Sequence, residues 1–195
     1  MSTSSWRILI ADDDEAVRQV LREHLHSLGH RVVAECVNGI EVAEQVAQVT
    51  PDLMILDIRM PELDGIEAAK RAQLVSPCAV LFLTGYVEDE LIHRAGEVGA
   101  VGYLVKPIRV EEIRPAIEIA VKRFRERVAA EKETEHLREA LEARKLVDRA
   151  KAYLMNTKGM GEEEAFKYIH FGARNTSRTM KEVAIEILQQ AGISI

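Results

Sequence analysis

The chain has 195 residues, 47% of them hydrophobic and 30% charged, with a net charge of −6. That balance excludes a disordered chain, and no apolar run approaches the roughly 20 residues that a membrane-crossing helix needs. Cys36 and Cys78 lie in or beside apolar segments and read as reduced, buried thiols, and the polar start Ser2–Ser5 lacks the apolar core of a secretion signal, so a cytoplasmic location without membrane partners is expected. Charge is unevenly spread: residues 1–121 carry 20 acidic and 11 basic side chains, residues 122–195 carry 12 and 15. An acidic front joined to a mildly basic tail suggests two domains with different partners.

In chain order, Trp6 to Ala11 is a short apolar run that ends at Asp12-Asp13-Asp14-Glu15. Ala16, Val17, Val20, Leu21, Leu25 and Leu28 follow helical spacing, and Gly29 ends that helix. Arg31 to Cys36 is a valine-rich strand; after the turn Asn38-Gly39, Ile40, Val42, Ala43, Val46, Ala47 and Val49 mark a second helix. Leu53 to Leu56 is four apolar residues closed by Asp57, the pattern of a strand buried on both faces, with Asp57 expected to be exposed in the loop that follows. A third helix begins near Leu63-Asp64-Gly65 and carries Ile66, Ala68, Ala69, Ala72 and Leu74. Ala79 to Leu83 is a fourth strand ending at Thr84-Gly85, a short helix is expected over Glu88 to Glu97, and Ala100 to Val105 is a fifth strand ending at Lys106-Pro107. A further helix starts near Val110. Five strand–helix units at this spacing predict a five-stranded parallel, doubly wound α/β sheet of flavodoxin type.

The C-terminal strand ends then bring Asp12, Asp13, Asp57, Thr84 and Lys106 to one crevice. Three adjacent carboxylates repel unless a cation neutralises them, and hard oxygen ligands suit Mg2+. A carboxylate beside Mg2+, an ammonium and a hydroxyl is equipped to attack a phosphoryl group. No His or Cys cluster offers a competing metal site.

The acids in Ala11-Asp12-Asp13-Asp14, Asp57 in Leu56-Asp57-Ile58-Arg59-Met60-Pro61, Thr84 and Lys106-Pro107 together resemble the receiver domain of bacterial response regulators, over about residues 5–123. The resemblance implies that Asp57 accepts a phosphoryl group from a sensor histidine kinase. It also implies that Asp13, Asp57 and the Arg59 carbonyl bind Mg2+, with Asp12 acting through water. Lys106 would contact the phosphoryl oxygens, Thr84 would move to hydrogen-bond them, and Tyr103 matches the family's aromatic switch position. Gly85 supplies the small residue that access to the site requires.

Ile113, Ile117, Val121, Phe124 and Val128 continue in steps of three and four, and Leu137 and Leu141 resume the step after a charged stretch. With no proline or glycine between Ala116 and Lys158, a continuous helix is expected, its residues 124–138 forming a linker that is either solvated or paired as a coiled coil. Leu141, Leu146, Val147, Ala150, Tyr153 and Leu154 then mark an apolar face. A second tail helix restarts at Met160-Gly161-Glu162 and is expected to bury Ala165, Phe166, Ile169 and Phe171, and a third runs from Thr179 with Met180, Val183, Ala184, Ile187 and Leu188. These three helices, at 139–190, make a small all-α domain.

The run Leu146 to Met155, then Glu163-Glu164-Ala165-Phe166, Ala173, Arg178 and Met180 to Ala184 resemble the ANTAR domain, an RNA-binding output module of transcription antitermination regulators. Ala152 stands where that family usually has glycine, and Phe171-Gly172 replaces a more basic or aliphatic pair. The resemblance implies a hairpin RNA partner and a homodimer formed on phosphorylation, whose grip on a nascent transcript lets polymerase pass a terminator. Arg144, Arg149, Lys151, Lys167, Arg174 and Arg178, with Lys145, Lys158 and Lys181, would meet phosphates, and Tyr168, His170 and Phe171 are candidates to stack on bases, while Tyr153 and Phe166 are expected in the core. Two other readings of the tail stay open: a DNA-binding module, although no helix-turn-helix is evident, or a part that serves only dimerisation or protein interaction. A phosphatase is a third alternative for the front half, against which Arg59 stands where a second, water-activating acid would be needed. External turnover is therefore not expected. His24, His26, His30, His93 and His136 fit surface positions.

Overall fold

The computed structural model describes residues 5–85 and 102–193. The chain divides into two compact units, Met1–Val128 and Ala129–Ile195. In the first, β1 (Arg7–Ala11), β2 (Arg31–Cys36), β3 (Leu53–Asp57), β4 (Ala79–Thr84) and β5 (Gly102–Val105) form one sheet in the order β2-β1-β3-β4-β5. All four pairings are parallel. The helices described with them are α1 (Glu15–Ser27), α2 (Gly39–Val49), α3 (Gly65–Val75) and the start of α4 (Val110–Lys158). The helix expected over Glu88 to Glu97, and Ala100 of the expected fifth strand, lie outside the described residues.

Strand alternation sorts the core into two layers. Leu9 and Ala11, Met54 and Leu56, and Val80 and Phe82 pack with Val42 and Val46 of α2 and Ile66, Ala69 and Ala72 of α3. Their neighbours Ile8, Ile10, Leu53, Ile55, Leu81 and Leu83 pack on the other face with Leu21 and Leu25 of α1 and Ile113, Ile117 and Val121 of α4. Because β3 and β4 are buried along their whole length, each large apolar side chain there contributes about 1.5–3 kcal/mol. Three residues expected on helix core faces instead face solvent: Val20, Ile40 and, at 88% exposure, Leu74. Leu74 lies near the C-terminal end of α3, beyond the stripe of Ile66, Ala69 and Ala72 that the sheet covers. His30, expected at the surface, is half-buried, accepts the Trp6 N–H at Nδ1 (3.4 Å), and has its pKa lowered by burial and then by the charge of Arg114.

The loops after the first three strands are fixed by helix caps. Asp14 Oδ1 accepts the Ala16 N–H, Asn38 Oδ1 the Glu41 N–H and Asp64 Oδ1 the Glu67 N–H. Glycine is required at the last of these loops for space: a Cβ on Gly65 would stand 2.0 Å from the Asp57 carbonyl oxygen. The start of α3 thus rests directly on the end of β3, and the Gly65 N–H donates to Ile58 O.

In the second unit α4 continues without a break to Lys158 and is followed by α5 (Glu162–Thr176) and α6 (Met180–Gln190). Ala150 and Leu154 of α4, Ala165, Ile169 and Ala173 of α5, and Val183, Ala184 and Leu188 of α6 form its core, with Leu146, Val147 and Tyr153 packed against them. Four alanines at these positions let the helix backbones approach closely. Leu141, expected on this face, is 54% exposed, and so is Leu137 at 59%. Gly159 and Ser177 end α4 and α5 in left-handed backbone, and a capping box between Thr179 and Glu182 starts α6. Among the described residues no helix is long and apolar enough to cross a membrane.

Gly65→Ala should lower the stability of the first unit by about 1–3 kcal/mol or more, because backbone must move to admit the methyl. Urea unfolding monitored by the fluorescence of Trp6, the sole tryptophan, measures it.

Candidate functional site

The three acids stand where the strand ends place them. Asp57 is the last residue of β3 and is 7% exposed, so it belongs to the strand and is buried, not exposed in the following loop as the sequence suggests. Asp12 is fully buried just past β1, and Asp13 is exposed beside it. One carboxylate oxygen from each of Asp12, Asp13 and Asp57 lies within 4.8 Å of the others. Lys106, just past β5, reaches into the cluster: its Nζ is 2.6 Å from Asp12 Oδ2 and 2.7 Å from Asp57 Oδ2. Thr84 ends β4 and is 7% exposed. A cavity of about 240 Å³ opens between Asp57, Ile58, Arg59, Thr84, Gly85 and Lys106.

Backbone contacts hold this arrangement. Lys106 N–H donates to Thr84 O and Ile58 N–H to Leu83 O, which clamps the ends of β3, β4 and β5 together. Arg59 N–H donates to Asp57 Oδ1 (3.3 Å) and Asp14 N–H to Asp12 Oδ1 (3.0 Å). Two positioning residues escape a reading of the sequence. Arg18, on the first turns of α1, donates through Nη1 to the carbonyls of Asp12 (2.7 Å) and Asp13 (3.3 Å), fixing the acidic loop, and Gly65 lets α3 sit on Asp57. A basic residue six positions after Asp12, on the face of a helix that starts from the loop, was the available signal for the first.

The electrostatics favour a cation. Burial raises the Asp12 pKa above the ordinary 3.8, against the lowering effects of Lys106 and the Asp14 N–H. For Lys106, burial works downward, but hydrogen bonds to Asp12 and Asp57 outweigh it and raise the ammonium above the ordinary 10.5. One ammonium faces three carboxylates, so negative charge is left over. An all-oxygen, acidic, partly open donor set of this kind fits a hard divalent ion such as Mg2+. The two cysteines take no part: burial pushes each thiol up to about 12.

In the second unit the cations expected to meet RNA are largely occupied. Lys151 bridges Glu162 (2.9 Å) and Asp148 (3.2 Å) and is mostly covered, Lys167 pairs with Glu163 (2.7 Å), and Arg178 pairs with Glu186 (2.5 Å). Arg144 lies 4.0 Å from Asp148, while Arg149 and Arg174 are exposed on α4 and α5. The aromatic residues also depart from expectation. Tyr153 packs on the core as expected, but Phe166 and Phe171 are 45% and 53% exposed, because Ala165, Ile169 and Ala173 supply the buried face of α5. Tyr103, on β5, is 48% exposed.

A parallel sheet in this order, with an acid triad, a lysine and a threonine at its C-terminal edge, defines a receiver of the response-regulator class. The chain belongs to that family: residues 8–118 match the response regulator receiver domain and residues 135–188 the ANTAR domain. It is 42% identical to the transcriptional regulatory protein PdtaR of Mycobacterium tuberculosis, across 95% of this chain and 91% of that protein. It is 34% identical to sporulation initiation phosphotransferase F of Bacillus subtilis, across 57% of this chain and 90% of the relative. Among solved structures, the response regulator domain of Thermotoga maritima CheB superposes with a TM-score of 0.57 at 29% identity, covering 61% of this chain and 98% of that one.

The Lys106 ion pairs stabilise the first unit in full below pH 10.5 and lose that effect as pH rises through the raised value. Urea unfolding should therefore show an alkaline loss of stability that is smaller in Lys106→Met. Without divalent cations at neutral pH, Asp12→Asn should raise stability by about 1 kcal/mol, since burial disfavours the Asp12 carboxylate more than Lys106 and the Asp14 N–H favour it.

Proposed function

We propose that this chain is a phosphorylation-controlled response regulator that binds hairpin RNA and thereby causes transcription antitermination in the cytoplasm. The observation that carries the first half is the contact of Lys106 with both Asp12 and Asp57 beside a cavity with ample room for a phosphoryl group. The ANTAR match over residues 135–188 supports the second half.

In the proposed reaction an Asp57 carboxylate oxygen attacks phosphorus in the phosphohistidine of a sensor histidine kinase. The P–N bond breaks, imidazole leaves with the electron pair, and an acyl phosphate remains on Asp57. Bound between Asp13, Asp57 and the Arg59 carbonyl, with Asp12 acting through water, Mg2+ would neutralise charge on the transferring group. Lys106 exchanges its contact with the Asp57 carboxylate for one with the phosphoryl oxygens, and the Thr84 hydroxyl supplies a further hydrogen bond. Drawing Thr84 inward leaves room beside β5, into which Tyr103 turns from its exposed position, and the receiver shifts between two states. The phosphoryl group stays on the chain's own aspartate, so no external substrate is turned over.

The phosphorylated state favours a homodimer, for which the exposed Leu137 and Leu141 of α4 offer an apolar stripe. Two copies bind paired hairpins more tightly than one, since the second contact forms at high effective concentration. The proposed boundaries are 5–123 for the receiver, 124–138 for the linker and 139–190 for the RNA-binding part. Arg144, Arg149 and Arg174 are the proposed phosphate contacts, with Lys151, Lys167 and Arg178 joining them only by leaving their acidic partners.

Asp57→Asn should abolish phosphoryl uptake from acetyl phosphate with Mg2+, detected by intact-protein mass, and should remove any phosphorylation-dependent gain in hairpin binding. Uptake at the wild-type level would overturn the site assignment.

A further inference from the structure

The three acids at the sheet edge are not held equally. Asp57 ends the buried strand β3 and Asp12 is itself fully buried, so packing fixes both. Asp13 is exposed and lies in the loop before α1, where neither burial nor a strand holds it. A loose carboxylate in a donor set has a chemical consequence. Mg2+ needs near-ideal octahedral oxygens at about 2.0–2.1 Å, whereas Ca2+ accepts about 2.3–2.6 Å and irregular geometry. A set with one unfixed member therefore loses its preference for the smaller ion.

What fixes Asp13 is its backbone, and Arg18 fixes that backbone. The carbonyls of Asp12 and Asp13 belong to the two peptide groups on either side of the Asp13 Cα. Each group is planar, so holding both leaves the Asp13 side chain one direction in which to project. Arg18 Nη1 donates to both, at 2.7 Å to Asp12 O and 3.3 Å to Asp13 O. The same stretch is tied by the Asp12 N–H to Cys36 O (3.2 Å) and by the Asp14 N–H to Asp12 Oδ1 (3.0 Å), but neither of those bonds reaches the Asp13 carbonyl. Two simpler accounts of Arg18 fit less well. As the fourth residue of α1 it stands near the positive end of the helix dipole, where a cation is disfavoured, so helix stability does not call for it. Nor is it the counter-charge of the acids: its donor meets carbonyls, and Lys106 is the cation that acts on the Asp12 carboxyl.

Resting on the Mg2+ reading above, we propose that Arg18 is a positioning residue that makes the acidic site select Mg2+ over larger divalent ions. By holding both peptides around Asp13, it keeps the one exposed carboxylate at the spacing that a small octahedral ion requires. The sign of its effect separates this role from that of a charge. A guanidinium acting only through its charge repels every divalent cation and weakens the binding of each. One acting through position strengthens Mg2+ binding, and strengthens Ca2+ binding less, because Ca2+ tolerates a displaced ligand.

The test is isothermal titration of the full chain with MgCl2 and, separately, with CaCl2, without a phosphodonor. Arg18→Met keeps the aliphatic stem and loses the donor. It should bind Mg2+ on the order of 10-fold more weakly, as when a hydrogen bond that supports a metal ligand is removed, and lose less affinity for Ca2+. Arg18→Lys keeps a cationic donor on a shorter stem, and its ratio of Mg2+ to Ca2+ affinity should lie between those of Arg18→Met and the wild type. Equal or tighter Mg2+ binding by Arg18→Met overturns the inference, as does a loss in the same proportion for both ions. Where Arg18→Met does not fold, a wild-type ratio in Arg18→Lys overturns it. Failure of the wild type to bind Mg2+ at all overturns the Mg2+ reading itself, a separate result.

Discussion

The ammonium of Lys106, held between Asp12 and Asp57, is the contact on which the first unit depends. Burial favours the protonated form of Asp12, and the ammonium works against that effect. The lysine also ties the end of β5 to the ends of β1 and β3. One ammonium against three carboxylates leaves negative charge over, which suits a hard cation.

Around this contact the fold is arranged to hold strand ends still. Both faces of β3 and β4 are buried, so Asp57 and Thr84 stand on rigid supports. The loops that follow are pinned by capping side chains at Asp14, Asn38 and Asp64, by Arg18 on the acidic loop carbonyls and by the absence of a side chain at Gly65. Asp14 shows how economically this is done: its side chain caps α1 while its N–H donates to Asp12.

The second unit follows different rules. Its core is narrow and rich in alanine, so helices pack closely and larger side chains are left outside. Paired surface charges give it little net field. The helix α4 runs from the receiver into this second unit.

The sequence by itself determined the sheet and its site. Short apolar runs ending in Asp57, Thr84 and Lys106 leave one arrangement in which parallel strands bring those ends together, and caps and glycines mark the turns between them. It did not determine that Asp57 is buried, because a residue after an apolar run reads equally as strand end or loop. Nor did it place Phe166 and Phe171, since on a helix with alanines at 165 and 173 the neighbouring aromatics are as apolar as the core residues, and only packing against α4 and α6 decides which face is covered. The pairing of Lys151 with Glu162 was likewise invisible, as it forms across the turn between α4 and α5. Periodicity encodes which residues share a face; which face meets a neighbour, and which charge finds a partner, is settled only when the elements pack.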